Sequence, residues 1–260
     1  MQGPNLPSKQ DSYDRLVTHL LNTEHPLNYS LEYLLENYGD KAVPALMQAL
    51  PVRPWYEQQI ILDTLGKIGD VRAILPVCAL VYEEKIVTKL PDSSLTSALR
   101  NLVYYTNEHK KAISILLDTM CKYQKCCSVL TVVLKEQNDK HTIKMVYRKL
   151  FKQKHSYLKE SAISIIGEDN AITEYRIKYL KKMHFRLKDS FLRGQTIKAL
   201  KILIARKRCK RLCKSRGLRF DAFFRRPENE SYDCCCIDKS NRRVLIKFEG
   251  SIMSEASERD

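Results

Sequence analysis

Two stretches of this chain repeat one another at a fixed offset. Leu35-Glu36-Asn37-Tyr38-Gly39-Asp40 leads into Ala42-Val43-Pro44-Ala45-Leu46 and closes on Ala49-Leu50. Leu65-Gly66-Lys67-Ile68-Gly69-Asp70 leads into Ala73-Ile74-Leu75-Pro76 and closes on Ala79-Leu80, 30 residues later. A period of that length is the signature of a repeat architecture, in which each unit buries its apolar face only against its neighbours. Each unit reads as an apolar helical run, a Gly-Asp corner and a second apolar helical run. Glycine takes the left-handed conformation that ends a helix without a steric cost. The aspartate that follows is suited to cap the next helix, because its carboxylate accepts from free N–H groups at the positive end of the helix dipole.

The pattern continues in weaker wording. Ser97–Tyr105 is a helical run, Asn107-Glu108 a polar corner, and Ala112–Met120 the next helix. Val129–Glu136, Asn138-Asp139 and Ile143–Phe151 form a further unit. Ser161–Ile166, Gly167-Glu168-Asp169-Asn170 and Ala171–Met183 form another, followed by a periodic helix over Phe191–Arg206. Corners near 40, 70, 108, 139 and 169 leave one longer interval, which holds Val87–Ser94 and reads as an enlarged loop. After Gly217 the helical pattern stops. Tyr232–Ile237 and Arg243–Phe248 read as a hairpin joined by the five residues Asp238–Arg242, packed on the last helices as a cap.

The Leu, Gly-Asp, Ala-Val-Pro and Ala-Leu wording resembles the HEAT-like repeats of the phycobilisome-lyase type, most clearly over residues 31–82. The resemblance implies an all-α, right-handed α-solenoid of five to six helix pairs over 11–216. A cap with a small C-terminal β-hairpin is expected over 217–250, with disordered ends at 1–10 and 251–260. It names a shape of surface rather than a reaction. HEAT-like enzymes include bilin lyases and DNA alkylpurine glycosylases; the latter lean on tryptophans and an aspartate, for which this chain offers the single Trp55 with Asp63 two turns on. HEAT hydroxylases bind iron through His-Glu pairs, and the sequence contains none. It also lacks a Gly-rich phosphate loop and a nucleophile elbow, so a non-catalytic protein is the expectation.

Glycine and proline are scarce, at 8 and 9 of 260 residues, and 44% of the chain is hydrophobic, which favours helix. No apolar stretch reaches membrane-spanning length, and Met1–Gln10 lacks the apolar segment of a secretory signal. An intracellular protein, cytoplasmic or nuclear, is expected. Nine cysteines, odd in number and partly adjacent, do not read as a disulfide framework. Cys78 and Cys121 lie in apolar helical runs. Cys209 and Cys213 share a helix face, and Cys234 and Cys236 share a strand face. Four thiolates can hold zinc or an iron–sulfur cluster, but neither group has Cys-x-x-Cys spacing. Unpaired thiols are expected, with no metal and no cofactor.

The net charge of +15 is unevenly placed. Residues 1–134 carry 13 basic and 14 acidic side chains, whereas 176–226 carry 19 basic and two acidic. Such asymmetry marks a polyanion-binding region. Lys140, Lys144, Arg148 and Lys152 recur every fourth residue, opposite Ile143, Val146, Tyr147 and Leu150. Lys178, Lys182 and Arg186 do the same one unit later. Like charges at this spacing cost a helix a few tenths of a kcal/mol each, which argues for an external anion over them. The expected function is a scaffold whose basic concave groove binds a nucleic-acid backbone, DNA or RNA, or another polyanion. Its expected contacts are Lys144, Arg148, Lys152, Lys178, Lys182, Arg206, Arg208 and Arg211. The alternatives are a protein–protein adaptor docking at Trp55 and Tyr56 in the less basic half and, ranked below it, a HEAT-like enzyme of the bilin-lyase or DNA-glycosylase type.

Overall fold

The structure is a computed structural model that describes residues 39–82, 92–137, 139–168, 173–225 and 232–248. It is mostly helical, with ten α-helices among the described residues and one small antiparallel sheet. None of the described helices is long and apolar enough to cross a membrane. Where one continuous array was expected over 11–216, the chain divides into two compact units, 1–137 and 138–260. The division coincides with the charge step. The first unit carries 14 basic and 15 acidic side chains, and the second 31 and 15.

In the N-terminal unit, a 3-10 turn at Gly39–Ala42 enters α1 (Val43–Ala49), followed by α2 (Trp55–Ile68). A second 3-10 turn, Val71–Ala73, enters α3 (Ile74–Tyr82). Then come α4 (Asp92–Tyr105), α5 (His109–Lys122) and α6 (Cys127–Lys135). Of the two Gly-Asp corners, the second behaves as its chemistry predicts, whereas Asp40 lies inside its 3-10 turn and α1 is entered from Ala42 with no side-chain cap. Gly69 ends α2 with φ +71°, and its N–H donates to Leu65 O at 3.1 Å. Asp70 caps the next turn, accepting from the Arg72 N–H at 2.8 Å. Gly39 is likewise left-handed, at φ +47°. The corners are also tied together, since the Arg72 guanidinium donates to Asp40 O at 3.1 Å. Successive first helices pack on one another, α2 on α4 and α4 on α6, and the second helices α3 and α5 also pack together. Leu46, Ile61, Leu62, Leu65, Ile74, Leu99, Leu102, Ile113 and Leu116 fill the core. The expected loop over Val87–Ser94 lies largely outside the described residues, although α4 already begins at Asp92.

In the C-terminal unit, α7 (Lys140–Val146) is capped by Asp139, whose carboxylate accepts from the Thr142 N–H at 2.8 Å. It continues into a π-type turn at Tyr147–Phe151. Helices α8 (Ser156–Ile166), α9 (Thr173–Arg186) and the 26-residue α10 (Ser190–Ser215) follow. Asp189 caps α10 by accepting from the Leu192 N–H at 2.9 Å. Arg176 is fully buried on α9, and its guanidinium donates to Ile165 O at 2.5 Å and Ile166 O at 3.3 Å. An arginine thus adds a donor at the end of α8, where Ile165 O also accepts from the Glu168 N–H at 3.4 Å.

The expected hairpin is part of a three-stranded antiparallel sheet. β1 (Arg219–Arg225) pairs with β2 (Tyr232–Ile237), which pairs with β3 (Arg243–Phe248). Arg219 lies opposite Ile237, and Ile237 opposite Arg243. The turn Asp238–Arg242 is held by the Asp238 carboxylate, which accepts from the Ser240 and Arg242 N–H groups at 2.8 Å, with Asn241 left-handed at φ 61°. β1 and β2 pack on α10, as expected of an end-piece.

One sequence expectation is corrected here. Cys213 on α10 and Cys236 on β2 are joined by a disulfide, with Cα atoms 6.0 Å apart, rather than standing as unpaired thiols. The long sequence separation hid a pair that packing of β2 on α10 brings within bonding range. Cys78, Cys126, Cys127 and Cys235 are free thiols.

Candidate nucleic acid interface

The apolar face of α7 and the π-type turn after it buries Ile143, Val146, Tyr147 and Leu150, and the opposite face exposes Lys140, Lys144, Arg148 and Lys152. The four-residue spacing therefore does separate cations from core. Lys178 and Lys182 are exposed on α9. Between the two helices runs a band of rings. Tyr147 stacks on Phe151 at 5.4 Å and meets Tyr179 at 4.9 Å. Tyr179 in turn lies 5.0 Å from Tyr175. Arg186 donates to the Tyr147 hydroxyl at 2.8 Å, and the Lys182 ammonium sits 5.5 Å from the Tyr179 ring. The Tyr175 hydroxyl donates to that of Tyr179 at 3.4 Å. This bond, with burial and the nearby Tyr179, pushes the Tyr175 phenol up to about 12, while the Arg148 charge pulls the other way. Arg148 in the turn after α7 and Tyr175 on α9 thus lie within electrostatic reach of each other.

At the Tyr175 end of this band the unit opens into a cavity of about 440 Å³. Its wall takes Lys140 from α7, Thr173, Glu174 and Tyr175 from α9, and Lys207, Lys210, Arg211 and Lys214 from α10. Five cations face one carboxylate. That carboxylate is engaged, because Lys207 Nζ lies 2.9 Å from Glu174 Oε1. The Lys207 hydrogen bond and charge, with Arg211 beyond, hold the Glu174 carboxyl below the ordinary range, against a small opposing effect of desolvation. The imbalance leaves a strongly positive wall with an amphipathic ring at its edge.

Of the eight expected contacts, Arg211 lines this cavity. Lys144, Arg148, Lys152, Lys178 and Lys182 stand exposed on α7, its C-terminal turn and α9. Arg206 and Arg208 are half-buried on α10. The Arg206 guanidinium lies 5.5 Å from the Phe220 ring and the Lys210 ammonium 5.6 Å from it, so β1 helps to position this end of α10. Lys140, Lys207, Lys210 and Lys214 were not singled out as contacts. The only signal for them was their membership of the same basic runs.

In the N-terminal unit, Trp55 and Tyr56 open α2 and are 44% and 54% exposed, beside Val52 at 78%. Asp63 sits on the same helix, where burial raises its carboxyl above the ordinary range and the Lys67 charge partly offsets this. Trp55 and Asp63 are about 12 Å apart along the helix axis, so α2 alone does not bring them to one point. Among the described residues, no group of three or more His, Cys, Asp or Glu side chains is placed to hold a metal ion. Comparison with protein-family models, with curated proteins and with solved structures finds no match for this chain.

Proposed function

We propose that the protein is a non-catalytic scaffold whose C-terminal unit binds the phosphate backbone of a nucleic acid. The supporting observation is the cavity in which Lys140, Lys207, Lys210, Arg211 and Lys214 converge from two helices against the single, already paired carboxylate of Glu174. Such a wall stabilises phosphates by direct charge pairing and by releasing their condensed counterions. The half-buried Tyr175 at its rim offers a surface on which a base can stack. The exposed cations of α7 and α9 extend the positive face away from the cavity along the tyrosine band. On this reading, each unit is built from HEAT-like helix pairs. Support comes from the packing of first helices on first helices and second on second, and from the Arg72 tie between corners.

The test is retention of a labelled oligonucleotide by the full chain in a gel-shift assay. Reversal of Arg148 and Lys182 to glutamate, or of Lys210 and Arg211 to glutamate, is expected to weaken retention by at least about tenfold at moderate salt. Unchanged retention in both double variants refutes the proposal. A second reading is supported by the exposed Val52, Trp55 and Tyr56, a small apolar patch suited to a protein partner. Binding through that patch would survive high salt and be lost on Trp55→Ala, the reverse of the phosphate reading.

A further inference from the structure

We propose that the basic cavity of the C-terminal unit receives the phosphorylated end of a nucleic-acid strand, while the strand's internal phosphates lie outside it. This rests on the phosphate-binding function proposed for the same cavity and names the part of the strand that enters. The cavity measures about 440 Å³ and draws its wall from α7, α9 and α10. That volume falls within the range of small-molecule sites, roughly 300–1,000 Å³, which enclose a compact group better than a continuous chain. Lys140, Lys207, Lys210, Arg211 and Lys214 line it against the one carboxylate of Glu174, an excess of four positive charges among the described residues. An internal phosphodiester brings about one negative charge to such a wall. A terminal phosphomonoester brings about −1.5 to −2 at neutral pH, with three acceptor oxygens. The terminal group matches the concentration of donors at this point better.

The two remaining features of the wall favour an end in the same way. Lys207 already holds the Glu174 carboxylate, with Nζ 2.9 Å from Oε1. The hydrogen bond and charge of Lys207 keep that carboxyl below its ordinary range, so it is ionised at neutral pH. An incoming anion therefore competes with a charge already in place. A phosphodiester only exchanges one charge for another at Lys207, whereas a phosphomonoester gains on the exchange. Tyr175 is half-buried in the same wall, and it is held by its hydrogen bond to Tyr179 and by ring centroids 5.0 Å apart. That hydrogen bond, with burial, pushes its phenol up to about 12, so the ring meets a phosphate uncharged. The last base of a strand has one face without a stacking neighbour, and a fixed aromatic ring beside the phosphate site can cover it.

The test compares four forms of one short single-stranded oligonucleotide, labelled at an internal base, by fluorescence anisotropy with the full chain. The forms carry hydroxyls at both ends, a 5′-phosphate, a 3′-phosphate, or no ends because the strand is circular. One phosphorylated form is expected to bind about tenfold more tightly than the hydroxyl form, the equivalent of one added charge-assisted contact. The circle should bind no more tightly than the hydroxyl form. The preference should shrink between about pH 7.5 and pH 5.5, as the phosphomonoester takes up its second proton near pH 6. It should vanish in the Lys210→Gln, Arg211→Gln variant. Equal binding of all four forms by the unaltered chain overturns end recognition but leaves salt-dependent phosphate binding standing, and this comparison needs no variant to fold. Failure of every form to bind defeats the phosphate-binding function itself. A preference that survives in the double variant places end recognition elsewhere and overturns the proposal. So does displacement of the phosphorylated strand by an equal concentration of free nucleoside monophosphate, which would make a free nucleotide the ligand.

Discussion

The two Gly-Asp corners are alike in sequence and unlike in surroundings, so substituting alanine at each gives a calibrated test of the packing. Gly39 and Gly69 both have left-handed backbones, which cost an alanine roughly 1–2 kcal/mol. The loss of chain entropy in the unfolded state returns about 0.4–1 kcal/mol in both cases. They differ in what a Cβ would meet. At Gly39 nothing among the described residues lies within 4 Å, whereas at Gly69 the new carbon would sit 2.7 Å from Tyr105 C, 2.8 Å from its Cβ and 2.9 Å from its O. Backbone at that range cannot swing aside, and overpacking of this kind adds about 1–3 kcal/mol. Gly69→Ala is therefore expected to cost about 3 kcal/mol and Gly39→Ala about 1 kcal/mol. With a urea dependence of about 2 kcal/mol per molar, the midpoints fall by about 1.5 M and 0.5 M. Trp55 is the only tryptophan and stands at the start of α2, so its fluorescence in a urea titration reports on this unit alone. Equal midpoint shifts for the two variants would refute the claim that the end of α4 packs against the Gly69 corner.

Two further outcomes follow from the C-terminal unit. Arg176→Met leaves Ile165 O and Ile166 O without their guanidinium partner, and should lower stability by about 1–3 kcal/mol in thermal unfolding; an unchanged melting temperature contradicts the assigned role. Glu174→Gln removes the one carboxylate from the cavity wall and frees Lys207, so nucleic-acid affinity measured by fluorescence anisotropy should rise by roughly two- to tenfold. Weaker binding by that variant would show that Glu174 orders the site rather than opposing its ligand.

What the sequence made legible was what is local. Gly69 and Asp70 act on neighbouring backbone groups, so a helix stop and a cap can be read from two letters. The turn from Asp238 to Arg242 is local in the same sense, and the strands on either side of it were placed correctly. β1 was missed because a bulge between Phe220 and Ala222 breaks the two-residue alternation that marks a strand. Helix α10 runs nine residues past its expected end at Arg206. Five of the nine residues beyond are cationic, and the apolar stripe is carried by Ala205, Cys209 and Cys213, which are buried at four-residue spacing. Read as a cysteine pair, that stripe disguised its own role as core. The cavity was only half visible for a related reason. A run of lysines announces its charge, but nothing in the spacing tells that Lys140 faces residues 67 to 74 positions further along the chain. The division near residue 137 was legible as a change in charge and was not read as a change of unit.

The salt dependence of oligonucleotide binding by the full chain, measured alongside a Lys210→Gln, Arg211→Gln, Lys214→Gln variant, tests the phosphate-binding claim most directly. A plot of log affinity against log salt should fall with a slope of about −3.5 for five single-strand phosphate contacts, and the variant's slope should be shallower by about 2. A flat dependence, or a steep one that the triple variant leaves unaltered, would contradict the claim that this cavity holds the phosphates.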